Sequence, residues 1–307
     1  MKGIVLKSTG SWYQVLTADG KVCKARVRGK IRLHSLDTSN PVAVGDEVIL
    51  GGDTDSSDGA QILDILPCRN YIIRKSNKLS ARRQILAANL DAAILVVSLV
   101  APRTSMGFAD RFLLCSEAFH IPAILFFNKT DLLNEEGKEV LQAYKGIYDA
   151  AGYRTVMGSA LTGEGVAVLK SLILGKTVLI AGHSGAGKST LLNDLFPQAG
   201  AKTAEISKQH ETGRHTTTFA EMHLLPDGTR IVDTPGIRDF GVVDIPTEET
   251  GGYFPEFRRY QNQCRFNNCR HENEPGCAVM AAVESGNIPP ERYYSYLSIV
   301  HGEDVFE

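Results

Sequence analysis

The sequence predicts a multidomain protein in which a small all-β barrel is followed by an α/β domain and a small α-rich domain. Three observations support this fold class. Short β-rich runs broken by turn residues fill residues 3–66, apolar strands alternate with helices over residues 92–233, and three of the six cysteines cluster near the C-terminus. With 307 residues the chain has room for two or three domains. We expect a barrel at 1–68, a basic linker at 69–90, the α/β domain at 91–240 and the C-terminal domain at 241–307.

Charge is unevenly distributed along the chain. Residues 1–90 contain 14 Lys and Arg against 8 Asp and Glu, and the remaining residues contain 19 against 27, which gives +6 and −8. The basic N-terminal region indicates a polyanionic partner. No run approaches the ~18 apolar residues of a membrane span, and no apolar signal-peptide core is found at the N-terminus. We therefore expect a cytoplasmic monomer with no membrane partner, in which clustered cysteines bind metal rather than form disulfides.

The barrel is predicted by β-rich runs at residues 4–7, 12–16, 22–32 and 47–50. Over residues 23–32 apolar residues alternate with cations, and the two-residue period of a strand places every cation on one face. That face is either an ordinary solvated surface or a nucleic-acid-binding surface, and a run of one sign favours nucleic acid. Trp12 and Tyr13 supply either stacking surface or core. The RNA-binding candidates are Lys24, Arg26, Arg28, Lys30 and Arg32.

The α/β domain begins after a polar, basic connector at residues 69–83. Residues 92–99 form a continuous apolar run, a helix is predicted at 108–119, and a second apolar strand follows at 123–127. Strands that are apolar throughout are typical of sheets buried on both faces. The alternation of strand and helix predicts a parallel, doubly wound sheet.

A candidate base-binding motif follows the second of these strands. Asn128-Lys129-Thr130-Asp131 lies at the carboxyl end of a strand, where such sheets bind ligands. A carboxylate at Asp131 can accept from both N1–H and the exocyclic amine of guanine, which selects GTP over ATP. The alternative is that Asp131 caps a helix. Ser159 and Ala160, after another short strand at 154–157, would pack against the base.

The phosphate-binding candidate is the match to G-x-x-x-x-G-K-[ST] at residues 182–189. A buried-type strand at 177–181 precedes it and a helix at 189–196 follows, so a bound phosphate would lie at a helix N-terminus. Its backbone amides and Lys188 would bind the phosphates. The nucleotide-binding candidates here are Gly182, His183, Ser184, Gly185, Ala186, Gly187, Lys188, Ser189 and Thr190.

Two further motifs indicate a magnesium ion and a γ-phosphate contact. Residues 213–218 read Gly-Arg-His-Thr-Thr-Thr, and Asp233-Thr234-Pro235-Gly236 ends a predicted strand. In P-loop GTPases the Asp of D-x-x-G and a switch Thr complete the Mg²⁺ shell, and the Gly amide contacts the γ-phosphate. The threonine run is alternatively a plain β-strand. The magnesium candidates are Ser189, Thr216, Thr217 and Asp233, with Gly236 assigned to the nucleotide.

The C-terminal cysteines form a candidate metal site. Cys264-x₄-Cys269-x-His271-x₅-Cys277 places four soft or borderline ligands within a short segment. Four such ligands suit tetrahedral Zn²⁺ with no open position, which predicts a structural site. The alternative is a set of reduced core thiols beside a surface histidine.

The order of the motifs indicates a circular permutation. In Ras-like GTPases the phosphate loop comes first and N-K-x-D follows D-x-x-G, whereas here Asn128-Lys129-Thr130-Asp131 and Ser159-Ala160 precede the loop. Cutting the domain between D-x-x-G and N-K-x-D and joining the old ends keeps every strand in place. The predicted fold class is therefore an OB-like barrel, a circularly permuted P-loop GTPase domain and a zinc-binding α-rich domain.

Together these motifs make the chain resemble the bacterial ribosome small-subunit-dependent GTPase A family over nearly its whole length. The resemblance implies a GTPase that is stimulated by the 30S ribosomal subunit, contacts its rRNA and acts in late 30S maturation. It also implies GTP and GDP as substrate and product, Mg²⁺, and one structural Zn²⁺.

The catalytic candidates are Lys188, Thr216, Thr217 and His215. Ile237 stands where Ras-like enzymes carry a water-orienting Gln after D-x-x-G, which predicts slow intrinsic turnover. His215 is either the residue that positions water once a partner orders the loop, or a solvated loop histidine. Two other functions stay open at this point: a nucleotide-gated RNA-binding protein, and a permuted GTPase that acts on the 50S subunit or another ribonucleoprotein.

Overall fold

A computed structural model describes residues 1–27, 42–52, 59–75, 83–195, 220–233 and 245–303. The chain divides into two compact units. The first comprises Met1–Ala93, Ser171–Ala181 and Phe196–Gly241, and the second comprises Ile94–Lys170, Gly182–Leu195 and Val242–Glu307.

The first unit contains a closed five-stranded barrel. Its strands are β1 (Lys2–Ser8), β2 (Tyr13–Thr17), β3 (Val22–Val27), β4 (Glu47–Gly51) and β5 (Ala60–Ile65). They pair in the order β1-β2-β3-β5-β4, and β4 pairs again with β1. Only β3 and β5 run parallel. Alternate residues of each strand point inward, so Val15, Ala25 and Ile62 form a fully buried core. The predicted OB-like barrel is confirmed.

A hairpin follows the barrel. Strands β6 (Tyr71–Lys75) and β7 (Arg83–Ala88) pair antiparallel, inside the segment that the sequence predicts as a linker. Ile72 and Ala87 are fully buried, which explains why this segment orders as strands. Gly45 lies against the hairpin with φ +90°, and a Cβ there would lie 2.1 Å from the Ala88 carbonyl oxygen. Only glycine fits at this position.

Three further strands belong to the first unit: β11 (Thr177–Ala181), β12 (Glu221–Leu224) and β13 (Arg230–Asp233). Strand β13 pairs parallel with β11 and antiparallel with β12, and β12 pairs with β1 of the barrel. The Lys7 ammonium and the Glu221 carboxylate lie 2.7 Å apart at this junction. The barrel therefore continues by strand pairing into β12 and β13.

The second unit contains most of the α/β core. Its strands are β9 (Ala123–Asn128) and β10 (Arg154–Met157), which are parallel, and most of β8 (Ala92–Ser98), which neighbours β9. Every residue of β8 is buried, as its apolar run predicts. The helices of the α/β region are α1 (Met106–Ala118), α2 (Glu135–Ala151), α3 (Val166–Ile173), which begins in this unit, and α4 (Lys188–Leu195). Ser105 caps α1 and Asn134 caps α2 through their side chains.

The C-terminal region of the second unit is α-rich. It contains 3₁₀ helices at Thr247–Tyr253 and Gln261–Gln263, and helices α5 (Pro255–Arg258), α6 (Ala278–Glu284) and α7 (Pro290–Val300). Phe254, Phe257 and Tyr296 form its aromatic core together with Leu114 of α1. Among the helices that the structure describes, none is both long and apolar enough to cross a membrane.

A buried ion cluster attaches this region to α1. Arg292 of α7 donates from Nη1 to Asp110 of α1 at 2.5 Å and from Nε to Glu256 of α5 at 2.6 Å. All three side chains are at most 1 % exposed. Because removing one member leaves uncompensated buried charge, the cluster makes the anchoring specific.

We predict that Arg292→Met lowers the free energy of unfolding of the second unit by about 3–5 kcal/mol, because Asp110 and Glu256 lose their only cation in the cluster. Far-ultraviolet circular dichroism during urea unfolding measures this, since most described helices lie in the second unit. Trp12 fluorescence reports the first unit in the same samples.

Arg258→Ala is the matched control, because Arg258 makes an exposed 2.7 Å ion pair with Glu117 of the same helix α1. Such a pair is worth less than about 1 kcal/mol. Equal losses in the two variants would contradict an anchoring role for the buried cluster.

Candidate functional site

The loop at residues 182–187 connects β11 to α4 and has the backbone of a phosphate-binding loop. Three of its residues, Gly182, Gly185 and Gly187, have positive φ angles of +146°, +80° and +99°. A Cβ on Gly182 would lie 2.6 Å from the Val96 carbonyl oxygen, so the loop passes too close to β8 for a side chain. Ala186 is fully buried. The glycine pattern of the motif is thus required by close backbone approach.

The lysine of the motif is held against the loop. Lys188 Nζ donates to the carbonyl oxygens of Gly182 at 2.6 Å and His183 at 2.7 Å. Ser189 and Thr190 begin α4 with exposed side chains. This arrangement places a cation, a hydroxyl and the amides of a helix N-terminus together, which suits a polyphosphate.

His183 packs on a residue that the sequence does not single out. Its ring centroid lies 3.7 Å from that of Phe108 in α1, with the planes tilted by 34°. Burial, and then the nearby Lys188 ammonium, lower the pKa of His183, so the ring is neutral at pH 7. The contact joins residues far apart in sequence, which is why no local pattern predicts it.

Asn128 joins the predicted base motif to the phosphate loop. Its amide nitrogen donates to the Ala186 carbonyl oxygen at 2.8 Å, and its amide oxygen accepts from the Ala160 amide at 2.8 Å. The side chain is buried, at 5 % exposure. A Cβ on Gly187 would lie 2.2 Å from the Asn128 amide nitrogen. One side chain therefore fixes the spacing between the phosphate loop and the loop at 159–160.

The other residues of the base motif lie beside this link. Lys129 has a left-handed backbone, with φ +66°, and its ammonium donates to the Ala101 carbonyl oxygen at 2.6 Å. Asp131 lies exposed in the 3₁₀ helix Thr130–Leu132. Ser159 is buried, and its hydroxyl accepts from the amides of Leu161 and Thr162. The second unit thus brings together the phosphate loop, Asn128, and Ala160.

Asp233 ends β13 in the first unit, where it pairs in parallel register with Ile180 of β11. Four other predicted residues, His215, Thr216, Thr217 and Gly236, lie outside the residues that the structure describes.

Of the RNA-binding candidates, Lys24 and Arg26 are exposed on β3, as the alternating pattern predicts. Their apolar neighbours Cys23 and Ala25 point into the barrel core. Arg28, Lys30 and Arg32 lie outside the described residues.

The predicted metal ligands converge on one point. One donor atom from each of Cys264, Cys269, His271 and Cys277 lies within 4.8 Å of the other three. His271 Nδ1 is 3.7 Å from Cys264 Sγ and 3.4 Å from Cys277 Sγ. Tetrahedral bonds of about 2.3 Å to sulfur and about 2.0–2.1 Å to nitrogen put neighbouring donors about 3.6 Å apart. The cluster is compatible with zinc.

A carboxylate inside the cluster organises its backbone. Glu274 accepts from the amides of Arg270 at 2.8 Å, Glu272 at 2.9 Å and Asn273 at 3.2 Å. Although burial opposes it, this set of amide donors lowers the pKa of Glu274 to about 2. Sequence spacing missed Glu274, because only the folded loop brings those amides to one carboxylate.

Two tyrosines of α7 support the same loop. Tyr293 donates its hydroxyl to the His271 carbonyl oxygen at 2.7 Å, and Tyr296 donates to that of Arg270 at 2.5 Å. His271 itself has φ +61°, so these hydrogen bonds hold a ligand with an unfavourable backbone conformation.

Sequence models of two protein families match the chain. The model described as RsgA GTPase matches residues 65–243, and the model described as RsgA N-terminal domain matches residues 2–60. The first alone covers more than half of the chain.

Named relatives and solved structures are similar over almost the whole length. A "Small ribosomal subunit biogenesis GTPase RsgA" of Bacteroides fragilis is 46% identical over 99% of this chain and 97% of its own. The protein of the same name from Christiangramia forsetii is 47% identical, with the same coverage. The crystal structure of YjeQ from Thermotoga maritima is 32% identical and covers 98% of this chain and 97% of its own, with a TM-score of 0.79. The structure of YloQ, described as a circularly permuted GTPase, has a TM-score of 0.75, 30% identity and coverages of 98% and 94%.

We predict that Gly187→Ala weakens the binding of a fluorescent GDP analogue by tenfold or more. The new Cβ needs a strained positive φ, which costs about 1–3 kcal/mol, and it displaces Asn128 from Ala186. Titration of the analogue measures the affinity, and thermal unfolding measures the stability.

Gly146→Ala is the matched control, because Gly146 lies in α2 with no atom close to a new Cβ. That variant should bind normally and gain roughly 0.5–1 kcal/mol of stability. Unchanged binding by Gly187→Ala would contradict the role of the Asn128 link.

For the metal cluster, we predict that Glu274→Ala lowers zinc affinity by about 10–100-fold, because the ligand loop loses its shared acceptor. Competition against a chromophoric chelator measures this. Glu272→Ala is the control, since Glu272 lies on the same loop but pairs only at 3.2–3.3 Å with Arg270 and His301 through its side chain. Equal affinities for the two variants would remove Glu274 from metal binding.

Proposed function

The chain belongs to the RsgA GTPase family, and from this we propose that it hydrolyses GTP to GDP and phosphate in the assembly of the small ribosomal subunit. The observation that carries the proposal is the link through Asn128, which joins a guanine-type base motif to a phosphate loop. The base motif precedes the loop in the chain, and the similar YloQ structure is described as a circularly permuted GTPase. The relatives named above are called small ribosomal subunit biogenesis GTPases. The 30S ribosomal subunit with its rRNA is therefore the proposed partner of this chain, and the proposed place of action is the cytoplasm.

The nucleotide roles follow from the chemistry of each group. Lys188 and the amides of residues 182–188 would neutralise the β- and γ-phosphates, and Asp131 would accept from guanine while Ser159 and Ala160 line the base. Mg²⁺ would be held by Ser189, Asp233 and one of Thr216 and Thr217, and it supplies charge neutralisation on the phosphate oxygens. The Gly236 amide would contact the γ-phosphate.

Water is the nucleophile in this proposal, and the residue that orients it must come from outside D-x-x-G. Ile237 is apolar and cannot orient water. His215 lies in the threonine loop and is the in-chain candidate, acting once the ribosomal subunit orders that loop. Slow turnover by the free protein and acceleration by the 30S subunit are the consequence.

The two remaining candidate sites would stabilise the C-terminal region and bind rRNA. Zn²⁺ at Cys264, Cys269, His271 and Cys277 would be structural, because four protein ligands leave no open position for substrate. The exposed cations of β3, Lys24 and Arg26, with Arg28, Lys30 and Arg32, would contact rRNA phosphates. A passive nucleotide-gated binder and a GTPase of the 50S subunit are not favoured by the family.

The test is GTP turnover with purified 30S or 50S subunits, using wild type and Asp131→Asn. We expect 30S to accelerate GTP hydrolysis by wild type. In Asp131→Asn the accelerated activity should move from GTP to xanthosine triphosphate, because the amide can donate to the extra carbonyl oxygen of xanthine. GTPases that contaminate the ribosomal subunits would still prefer GTP, so a preference for xanthosine triphosphate identifies the activity as that of the variant.

Each result has a distinct meaning. Acceleration by 50S but not by 30S would contradict the small-subunit assignment. Retained GTP selectivity in Asp131→Asn would remove Asp131 from the base site. No acceleration by either subunit would support a passive nucleotide-gated binder.

A further inference from the structure

The barrel carries a stacked pair on its outer surface. The guanidinium carbon of Arg26 lies 3.5 Å from the centroid of the Trp12 ring. At this separation the guanidinium is in van der Waals contact with the ring face, as in a cation–π pair. Arg26 is exposed and Trp12 is half-buried.

Strand pairing explains why the two residues meet. Strands β2 and β3 pair Tyr13 with Ala25 and Gln14 with Lys24. Extending this register by one residue places Trp12 opposite Arg26. Tyr13 and Ala25 face the core, at 2 % and 0 % exposure, so the two-residue period sends Trp12 and Arg26 to the outside. The tryptophan is therefore not a core residue of the barrel.

The backbone at Gly59 lies against the Trp12 indole on another side. Gly59 has φ +75°, and a Cβ there would lie 3.0 Å from Trp12 Cζ3 and 2.9 Å from the Lys24 carbonyl oxygen. Glycine lets the chain before β5 pass directly beside the ring. The Trp12 ring thus lies between the backbone at Gly59 and the exposed guanidinium of Arg26.

A guanidinium supported on one side by an aromatic ring has a specific use in nucleic-acid binding. Unpaired RNA bases stack on aromatic rings or on Arg guanidinium planes, and the faces of strands 2 and 3 bind oligonucleotides in OB-type barrels. Lys24, two residues before Arg26, adds a cation on the same face for the phosphate beside such a base. A duplex presents no free base face, so this surface selects single-stranded RNA.

We propose that Arg26, held against the Trp12 ring, stacks one unpaired RNA base while Lys24 binds an adjacent phosphate. The proposal rests on the proposed ribosomal function, because it specifies which element of rRNA this face binds. Arg26 contributes its plane as well as its charge. Lys24 contributes charge alone.

The test compares two probes with equal charge. One is a decamer of adenylate, and the other is a decamer of the same sugar-phosphate length in which every nucleotide is abasic. Wild type should bind the adenylate decamer more tightly by about 5- to 150-fold, the range of base stacking on a side chain. The single tryptophan of the chain gives a second readout, since a stacked base should change Trp12 emission only with the adenylate probe.

Two variants distinguish base stacking on the planar guanidinium from attraction of phosphate by positive charge. Arg26→Lys keeps the charge, so it should lose most of the preference for adenylate over the abasic probe with an unchanged dependence of affinity on salt. Lys24→Ala should keep the preference but lower the slope of log affinity against log salt by about 0.7. Both residues are exposed, so the unfolding midpoints should not change.

Equal binding of the two probes by wild type, or an unchanged preference in Arg26→Lys, would overturn the proposal. These outcomes are distinguishable from failure of the proposed function. If 30S accelerates GTP turnover while Arg26→Lys keeps the preference for the adenylate probe, only the proposed stacking site is wrong. If the base preference depends on Arg26 but 30S has no effect on turnover, the stacking site stands and the ribosomal function falls.

Discussion

The candidate nucleotide site depends on the two hydrogen bonds of one buried amide. Asn128 connects backbone segments that lie 32 and 58 residues away in the chain, and both of its bonds are 2.8 Å long. Losing the side chain would leave the Ala186 carbonyl and the Ala160 amide buried without this partner, at a cost of about 1–3 kcal/mol each. Gly187 has no Cβ because Asn128 occupies that space. The phosphate loop and the loop at 159–160 are consequently joined through this one side chain.

Helix α1 is a second important element of the second unit, because it contacts both the phosphate loop and the C-terminal region. Phe108 in its first turns stacks on His183 of the phosphate loop, and Asp110, two residues later, binds Arg292 of the terminal helix. Glu117 near its end pairs with Arg258 of α5. A buried ion cluster contributes less net stability than an apolar one of the same volume, but it accepts only one geometry. The tail is therefore attached to the helix that also packs on the phosphate loop.

Circular permutation has a direct consequence for the tail. In the unpermuted order D-x-x-G is followed by N-K-x-D, whereas here Asp233 is followed in sequence by the α-rich C-terminal region. The barrel is joined to the same motif through strand pairing, since β1 pairs with β12 and β12 pairs with β13, which ends at Asp233. Strand β13 carries a proposed magnesium ligand. The barrel is connected to it by strand pairing, and the C-terminal region is connected to it by the chain itself.

The features that depend on local pattern could be predicted from the amino-acid order: the alternating faces of β3, the buried run of β8, the glycines of the phosphate loop, and the spacing of Cys264, Cys269, His271 and Cys277. The sequence predicted the permuted fold because motif order is a property of the chain. Three findings required the folded chain. Trp12 lies outside the barrel core and supports Arg26, residues 71–75 and 83–88 of the expected linker are strands, and Glu274 and Arg292 organise the C-terminal region. The strand contacts depend on cross-strand register and close backbone approach, and the Arg292 cluster depends on charges buried between residues far apart in the chain. Glu274 depends instead on a loop conformation that turns three nearby amides toward one carboxylate, and residue spacing does not reveal that conformation.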